Sequence, residues 1–391
     1  MSNLNESTRL LSSIEQGGGS ASPDLNIIKQ LKYLFLSNYI NILLVFVPLG
    51  AIASSLHLSN AAIFFLNFFA IIPLASLLGT ATEEVAKYMG QTIGGLVNAT
   101  FGNAVELIVS ILALRLGLIR VVQASLLGSI LSNLLLVLGF CFFFGGLKHD
   151  EQSFNVTAAQ TNSSLLGICV LSLLVPAAFH NVLGSEKEIA KGIMNLSHGT
   201  AVIMLILYVA FLVFQLKTHT HLFEAEDDDE EEAHMSLGVA LVCLLGITII
   251  VSISAEYLVG SIEGLTQQLG LSDTFVGIIL VPIVGNAAEH MTAVTVAMKN
   301  KMDLSLGVAV GSSMQIALFV TPVLVILGWI IGQPMTLFFD TFETAVLFIT
   351  VLIVNYLIQD GKSNWLEGLT LIAAYCIIAM AFFFYPQTIQ P

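Results

Sequence analysis

Long apolar stretches dominate this chain and restrict the class of fold it can adopt. Of its 391 residues, 56% are hydrophobic and 10% are charged, and Lys and Arg are absent from nearly all of the apolar interiors. About 20 apolar residues cross a bilayer as an α-helix, which satisfies every backbone polar group internally. The sequence therefore predicts an all-α polytopic membrane protein with 11 transmembrane helices. The apolar stretches lie at about 39–58, 61–88, 91–113, 119–146, 157–182, 197–217, 236–262, 273–298, 303–330, 334–358 and 364–385.

A short motif occurs once in each half of the chain. Gly102–Glu106 reads Gly-Asn-Ala-Val-Glu, and Gly285–Glu289, 183 positions later, reads Gly-Asn-Ala-Ala-Glu. The same offset relates Gly128-Ser129 to Gly311-Ser312. Shifted by this offset, the second to sixth apolar stretches fall roughly over the seventh to eleventh. The pattern predicts one N-terminal helix and two repeats of five, and an odd number of helices forces the repeats into opposite orientations.

These comparisons give the expected domain organisation. We expect a disordered cytosolic tail over 1–26, a first transmembrane helix within 27–60, a first repeat over 61–217, an acidic cytosolic linker over 218–235 and a second repeat over 236–391. In the tail, Glu6–Leu11 has the form of an acidic dileucine signal for a sorting adaptor, and a plain linker explains it equally simply.

The basic residues predict which side of the membrane each loop faces. With 11 spans and a cytosolic N-terminus, nine Lys and Arg residues fall on the cytosolic side and four on the opposite side, which follows the positive-inside rule. The C-terminus is then lumenal. The four residues that fall opposite are Arg115, Arg120, Lys187 and Lys191.

Charge outside the membrane is concentrated in one run. The formal net charge is −14, and a short segment before the seventh apolar stretch holds eight of the acids, so nothing indicates a nucleic-acid partner. This run is either a solvated linker or a low-affinity calcium collector or regulator, which raises the local calcium concentration near the cytosolic mouth. Its acids are Glu224, Glu226, Asp227, Asp228, Asp229, Glu230, Glu231 and Glu232.

Glu106 and Glu289 are the strongest candidates for function, because an acid within a transmembrane segment is costly and marks an ion or proton pathway. Brought together across a pseudo-two-fold axis, they would offer up to four carboxylate oxygens in mid-membrane. An oxygen-rich site suits Ca²⁺, with Mn²⁺ also acceptable. Gly94, Gly95, Gly102, Pro282 and Gly285 predict helix interruptions that would free carbonyl oxygens. The auxiliary polar ligands are Asn98, Asn103, Ser129, Asn286, Ser312 and Gln315.

Paired acids with no Lys or Arg nearby repel each other unless a cation or protons neutralise them. Protons and the cation must then compete, which is the physical requirement for proton-coupled antiport. The simpler alternative is a protonated pair that only stabilises the bundle. His290 could tune this site, and Glu83, Glu84 or Glu256 could line an access path, although a solvated carboxylate explains each acid singly.

Four stretches of the sequence resemble the cation/proton exchanger family of the calcium/cation antiporter superfamily. They are Gly94–Glu106, Gln123–Ser129, Pro282–His290 and Gly311–Gln315. The resemblance implies an acidic helix between two five-helix repeats, and alternating access in which lumenal protons drive cytosolic Ca²⁺ into an acidic, vacuole-type store. It also implies cation-ligand roles for Glu106 and Glu289 and no cofactor besides the transported ions. A homo-oligomer in membrane lipid is compatible with it.

Three other functions remain open from the sequence. A sodium-coupled calcium exchanger would share the repeat, and a calcium channel would let calcium flow downhill without proton counterflow. An intramembrane hydrolase could use the two glutamates as acid and base. No nucleophile motif accompanies them in the sequence, so transport is the favoured function rather than an enzyme.

Overall fold

The structure, a computed structural model, describes residues 26–180, 185–223 and 233–385. This part of the chain is helical apart from a two-residue strand pair, β1 (Gln152–Ser153) against β2 (Lys362–Ser363). The predicted tail, the Glu6–Leu11 signal and the acidic run Glu224–Glu232 lie outside the described residues. The helices are α1 (Ile27–Leu36), α2 (Phe46–Ser55), α3 (Asn60–Lys87), α4 (Gly90–Phe101), α5 (Ala104–Arg115), α6 (Ile119–Leu131), α7 (Leu138–Lys148), α8 (Val156–Phe179), α9 (Glu186–Val213), α10 (Leu237–Gly260), α11 (Ile262–Leu269), α12 (Asp273–Phe275), α13 (Val281–Ala297), α14 (Met302–Gln315), α15 (Thr321–Ile331), α16 (Thr341–Leu357) and α17 (Trp365–Phe383).

Short irregular helical turns extend several of these helices. The 3-10 turn Tyr39–Val45 leads into α2, and Thr220–Leu222 is a second such turn. Wider π-helical turns join α6 to α7, follow α9, precede α13 and join α14 to α15. They cover Ser132–Val137, Phe214–Thr218, Val276–Leu280 and Ile316–Val320.

Eight helices in the described part of the chain are long and apolar enough to cross a membrane, or up to ten if each bent helix pair counts as one span. The multi-pass prediction is therefore confirmed, while the count of 11 stays a prediction. In the predicted tenth span, 334–358, only α16 is helical, and it has 17 residues. It starts late because Asp340 and Glu343 form a capping box that sets the first turn at Thr341.

The first span also differs from the single helix predicted within 27–60. Its two parts, Ile27–Leu36 and Tyr39–Ser55, are bent by 96°. The break falls at Asn38, whose side chain accepts a hydrogen bond of 3.1 Å from the Ile40 amide and so starts a new helix. Helix α9 likewise begins 11 residues before the predicted start at 197, because Ser185 and Glu188 form a capping box upstream of the apolar stretch.

Two turns show that the 183-residue offset relates opposite ends of the bundle. Gly117, between α5 and α6, has φ +76°, and Asn300, 183 residues later, has φ +62°. The Gln152 amide donates to Asn300 Oδ1 over 2.9 Å, which places Asn300 beside the end of α7. Gly117 lies at the other end of the same 30-residue span, Ile119–Lys148. We call these the Arg120 end, near Gly117, and the basic end, near Asn300.

Side-chain bonds hold the two halves together at both ends simultaneously. At the Arg120 end, the Arg120 guanidinium donates to both oxygens of buried Glu343, over 2.7 and 3.3 Å, a paired geometry that is strong for a charged group. At the basic end, the backbone N–H of Asn155 donates to the Asp303 carboxylate over 2.6 Å. Asp303 is 183 residues after Arg120, so equivalent helix starts brace the bundle at opposite ends.

The span Ile119–Lys148 forms the centre of the bundle, since 83% of its most apolar window is buried, against 22% for Trp365–Phe383. The spans 273–297 and 302–331 are buried to 50% and 56% and pack beside it. Exposed apolar side chains on the outer helices, such as Ile203 and Ile377, suit a lipid-facing surface. Both copies of the repeated motif lie in the protein interior, since their asparagines, Asn103 and Asn286, are each 1% exposed.

Candidate cation-binding site

The two copies of the Gly-Asn-Ala motif adopt different backbones. The first copy lies at a break between α4 and α5, where Thr92–Phe101 and Ala104–Arg115 are bent by 44°. The second lies inside continuous α13, which runs through Gly285. The predicted interruption is thus located at Gly102-Asn103. The interruptions predicted at Gly94, Gly95 and Gly285 are wrong, because these glycines continue their helices. Pro282 lies in the first turn of α13, directly after a π-helical turn, where a missing backbone N–H is tolerated. Because Glu106 follows the break, it lies in the first turn of α5, where the helix dipole favours a negative charge.

Each carboxylate lies against the glycine of the other motif. A Cβ atom added to Gly285 would lie 2.5 Å from Glu106 Oε1, and one added to Gly102 would lie 3.8 Å from Glu289 Oε1. Glycine at 285 therefore makes room for the Glu106 carboxylate. This reciprocal packing brings Glu106 and Glu289 into one site, as the sequence repeat predicted.

The two motif asparagines donate across the interface between the halves. The Asn286 amide donates to Ser129 Oγ over 3.2 Å, and the Asn103 amide donates to Gln315 Oε1 over 2.6 Å. With these bonds, the structure brings four predicted auxiliary residues together around the acids. A fifth, Ser312, lies beside Glu289, and both line the same cavity.

Three oxygen atoms of this cluster have no hydrogen-bond donor among the residues that the structure describes. They are Asn103 Oδ1, Asn286 Oδ1 and Glu106 Oε2, and all three are buried. Unpaired buried acceptors are costly, and each asparagine directs its amide group away to the other half. The arrangement leaves acceptor oxygens free to bind a cation or, at Glu106, a proton.

A cavity of about 560 Å³ reaches this cluster from the basic end. Its wall includes Thr82 and Glu83 near the end of α3, Leu216 after α9, and Asn98. Glu289 lines the cavity with Ser312 and Gln315, whereas Glu106 is 8% exposed and is not part of the wall. One carboxylate of the pair is therefore accessible and the other lies behind it.

The remaining predicted residues separate into different environments. Glu83 lines the cavity, as an access-path residue would. Glu256 is exposed near the end of α10 and lies outside the cavity wall, in the position of a solvated or snorkelling carboxylate. His290 also lies outside the wall, and its Nε2 is 3.1 Å from Asn133 Oδ1.

Glu84 is an anchor rather than a residue of the cavity. It is 1% exposed, and its carboxylate accepts hydrogen bonds from the Met235 amide over 2.8 Å and from Lys87 over 3.0 Å. The Tyr88 hydroxyl donates to the Met235 carbonyl over 2.7 Å. These bonds fix the start of α10 against the end of α3.

Asn133 is a site residue that the sequence reasoning missed. It is 2% exposed, and its amide donates to Ser312 Oγ over 3.3 Å, so it connects His290 with the serine that contacts Glu289. The repeat gave no signal, because the residue 183 positions later is Ile316. Its position four residues after Ser129, one helical turn away, was the available clue.

The donor set is made of oxygen. Carboxylates, amide oxygens and hydroxyls are the ligands of hard cations such as Ca²⁺, which accepts six to eight of them in flexible geometry. The rest of the shell for a bound ion would come from water in the cavity. Such a site fits a cation that is transported, because water already in the ligand shell helps to rehydrate the ion when it leaves.

Comparison with known proteins identifies the family of this chain. The chain matches the Sodium/calcium exchanger protein family over residues 59–217 and 239–384, which together make up most of its length. The chain belongs to this family. The chain therefore has the fold of a membrane transporter. The matched ranges include both copies of the Gly-Asn-Ala motif.

Individual relatives of the exchanger are similar over most of their length. A vacuolar calcium ion transporter from Schizosaccharomyces pombe is 50% identical over 93% of this chain and 89% of its own. A Ca²⁺/H⁺ antiporter from Aphanothece halophytica is 49% identical over 88% of this chain and 96% of its own. The crystal structure of the Ca²⁺/H⁺ antiporter protein YfkE is 42% identical, with a TM-score of 0.76, over 88% of this chain and 99% of that one. The resemblance to cation/proton exchangers is confirmed.

Proposed function

We propose that this exchanger is a calcium/proton antiporter that moves cytosolic Ca²⁺ into an acidic lumen by alternating access. Glu106 and Glu289 carry either one Ca²⁺ or protons across the membrane. Mn²⁺ is a second cargo of compatible chemistry. The two acids bind and release the cation and the protons, and they catalyse no bond cleavage.

The buried acceptor oxygens around the two acids carry this proposal. With Ca²⁺ bound, Asn103 Oδ1, Asn286 Oδ1 and the carboxylates gain a partner. Without it, the paired carboxylates must take up protons to limit their repulsion. Because the structure shows no Lys or Arg among the described residues bonded to Glu106 or Glu289, the two cargoes compete for the same oxygens.

The proposed orientation places the basic end in the cytosol. This end carries Lys87, Lys148, Lys299 and Lys301, in agreement with the positive-inside rule. The N-terminus is then cytosolic and the C-terminus lumenal. In this orientation the cavity opens to the cytosol, and we assign the structure to a cytosol-open state with Glu289 lining the cavity and Glu106 behind it.

The vacuolar membrane is the proposed location. The relatives from Schizosaccharomyces pombe and Oryza sativa carry vacuolar names, and the rice vacuolar cation/proton exchanger 2 is 46% identical over 95% of this chain. An acidic store also supplies the proton gradient that the mechanism needs. Because the family is described as sodium/calcium exchangers, sodium coupling is the alternative that the experiment must distinguish from proton coupling.

The test is calcium uptake by proteoliposomes with an acidic interior. We expect native uptake to collapse when a protonophore with a potassium clamp removes the gradient, and to be absent in Glu106→Gln and Glu289→Gln. Glu256→Gln, an exposed acid outside the cavity, is the matched control and should transport at the native rate. Uptake that follows a sodium gradient would indicate a sodium-coupled exchanger. Uptake indifferent to both gradients would indicate a channel.

A further inference from the structure

Two helix surfaces at the Arg120 end touch at backbone distance. A Cβ atom added to Gly277 would lie 2.6 Å from Ala124 Cβ. One added to Gly128 would lie 2.7 Å from Ile278 Cα and collide with the carbonyl oxygen of the same residue. Helix α6 therefore packs directly on the π-helical turn before α13. This contact closes the Arg120 end of the site.

The 183-residue offset identifies the equivalent surfaces at the basic end. Ala124 and Gly128 correspond to Gly307 and Gly311 on α14. Gly277 and Ile278 correspond to Gly94 and Gly95 on α4. All four positions at the basic end are glycine, so the two surfaces could approach at least as closely as their counterparts do.

These surfaces are apart in the structure. An added Cβ at Gly307 or Gly311 would meet no atom of the described residues within 4 Å, and Gly95 and Gly307 line the cavity. The Gly94-Gly95 face is covered by other atoms. An added Cβ would lie 2.6 Å from the Ala86 carbonyl oxygen at Gly94 and 2.6 Å from Leu216 Cδ2 at Gly95. A helical glycine destabilises its helix by about 0.5–1 kcal/mol relative to alanine. In this state neither glycine of α14 makes a packing contact that would offset this loss of helix stability.

We infer that Gly307 and Gly311 are the seat onto which the Gly94-Gly95 face of α4 closes in the lumen-open state. In this closure Gly94 separates from Ala86 and Leu216 leaves Gly95. The basic end then forms the contact now made by Gly128 and Ile278, and the Arg120 end opens. The inference rests on the proposed alternating access and assigns the residues that form its cytosolic seal. The two halves exchange equivalent contacts, so each state is closed at one end only.

Bulky residues at the seat provide the first test. We expect Gly311→Leu and Gly307→Leu to lower the calcium uptake rate about 100-fold, because a packed backbone contact does not accommodate a leucine side chain. Binding of ⁴⁵Ca²⁺ to the purified protein should stay within about threefold of native, since the cytosol-open state is untouched. Gly167→Leu, at another helical glycine with no atom within 4 Å, should transport normally. Native-rate uptake by Gly311→Leu would overturn the inference.

A disulfide trap provides a test that does not depend on transport. In a chain with Cys141, Cys169, Cys243 and Cys376 replaced by alanine, Gly94→Cys and Gly307→Cys should form a disulfide under mild oxidation. The equivalent pair at the Arg120 end already carries a Cβ atom on Ala124, 2.6 Å from a Cβ atom added to Gly277, so a slight separation brings two Cβ atoms to the range of about 3.5–4.5 Å found in disulfides. Adding Gly311→Leu should reduce the disulfide yield at least fivefold. Absence of the disulfide with native-like uptake would refute the seat. A disulfide in a chain whose reduced form takes up calcium without regard to the proton gradient would retain the seat and refute the antiport.

Discussion

The reciprocal contact between Gly285 and Glu106 makes a sharp prediction about a single methyl group. In Gly285→Ala, the new Cβ would lie 2.5 Å from Glu106 Oε1, whereas ordinary contacts begin near 3.4 Å. The carboxylate must therefore retreat by about 0.9 Å, the difference between these two distances. Calcium–oxygen bonds span only about 2.3–2.6 Å, so this displacement removes Glu106 from a shared ligand shell.

The expected loss can be estimated from the displacement. A misplacement of about 1 Å costs up to about 100-fold in a reaction that depends on position. We expect Gly285→Ala to lower calcium uptake about 10- to 100-fold, which corresponds to about 1.4–2.7 kcal/mol. Stability should change in the opposite direction, because alanine in the interior of α13 is favoured over glycine by about 0.5–1 kcal/mol.

The assay pairs uptake in proteoliposomes with thermal unfolding of the purified protein. Gly79→Ala is the matched control, since Gly79 also lines the cavity and an alanine there would meet no atom within 4 Å. It should leave uptake unchanged. The reasoning is refuted if Gly285→Ala keeps more than half of the native uptake, or if it loses uptake only together with thermal stability.

Three further substitutions test the surrounding framework. Arg120→Gln should destabilise the protein by about 3–5 kcal/mol, because it leaves the buried carboxylate of Glu343 unpaired; a lower melting temperature, largely restored in the double variant with Glu343→Gln, would show this. Glu84→Gln should weaken the anchor of α10 by about 1–3 kcal/mol, visible as faster limited proteolysis between residues 218 and 236. Asn133→Leu removes the donor to Ser312, and the half-saturating calcium concentration should rise about 2- to 10-fold, with an unchanged value contradicting the contact.

The sequence predicted the parts of the structure that repeat or that depend on hydropathy. The membrane class, the pairing of Glu106 with Glu289 and the partners Ser129 and Gln315 all followed from the offset and from the cost of a carboxylate in lipid. Capping groups changed the element boundaries, because Asn38 and Ser185 start helices where hydropathy gives no signal. Local polar side chains can override an apolar pattern at a helix end.

Other parts of the site depend on differences between the two halves and could not be read from their similarity. The motif glycine is at a helix break in the first half and inside a helix in the second. Asn133 has Ile316 as its counterpart, and Glu106 is buried where Glu289 faces the cavity. A comparison of repeats shows which residues correspond, whereas the packed structure determines which copy is accessible.

The braces indicate which parts of the exchanger stay fixed during transport. Arg120–Glu343 at one end and Asn155–Asp303 at the other are both formed in the same state. Contacts that alternated with access would be formed at one end and broken at the other, as Gly128–Ile278 and Gly95–Gly311 are. The helix starts at Ile119, Met302 and Thr341 therefore belong to a rigid frame. We assign the motion to the helices that carry the two glutamates and their glycines, because at their surfaces one contact is closed, at Gly128 and Gly277, and the equivalent one is open, at Gly311 and Gly307.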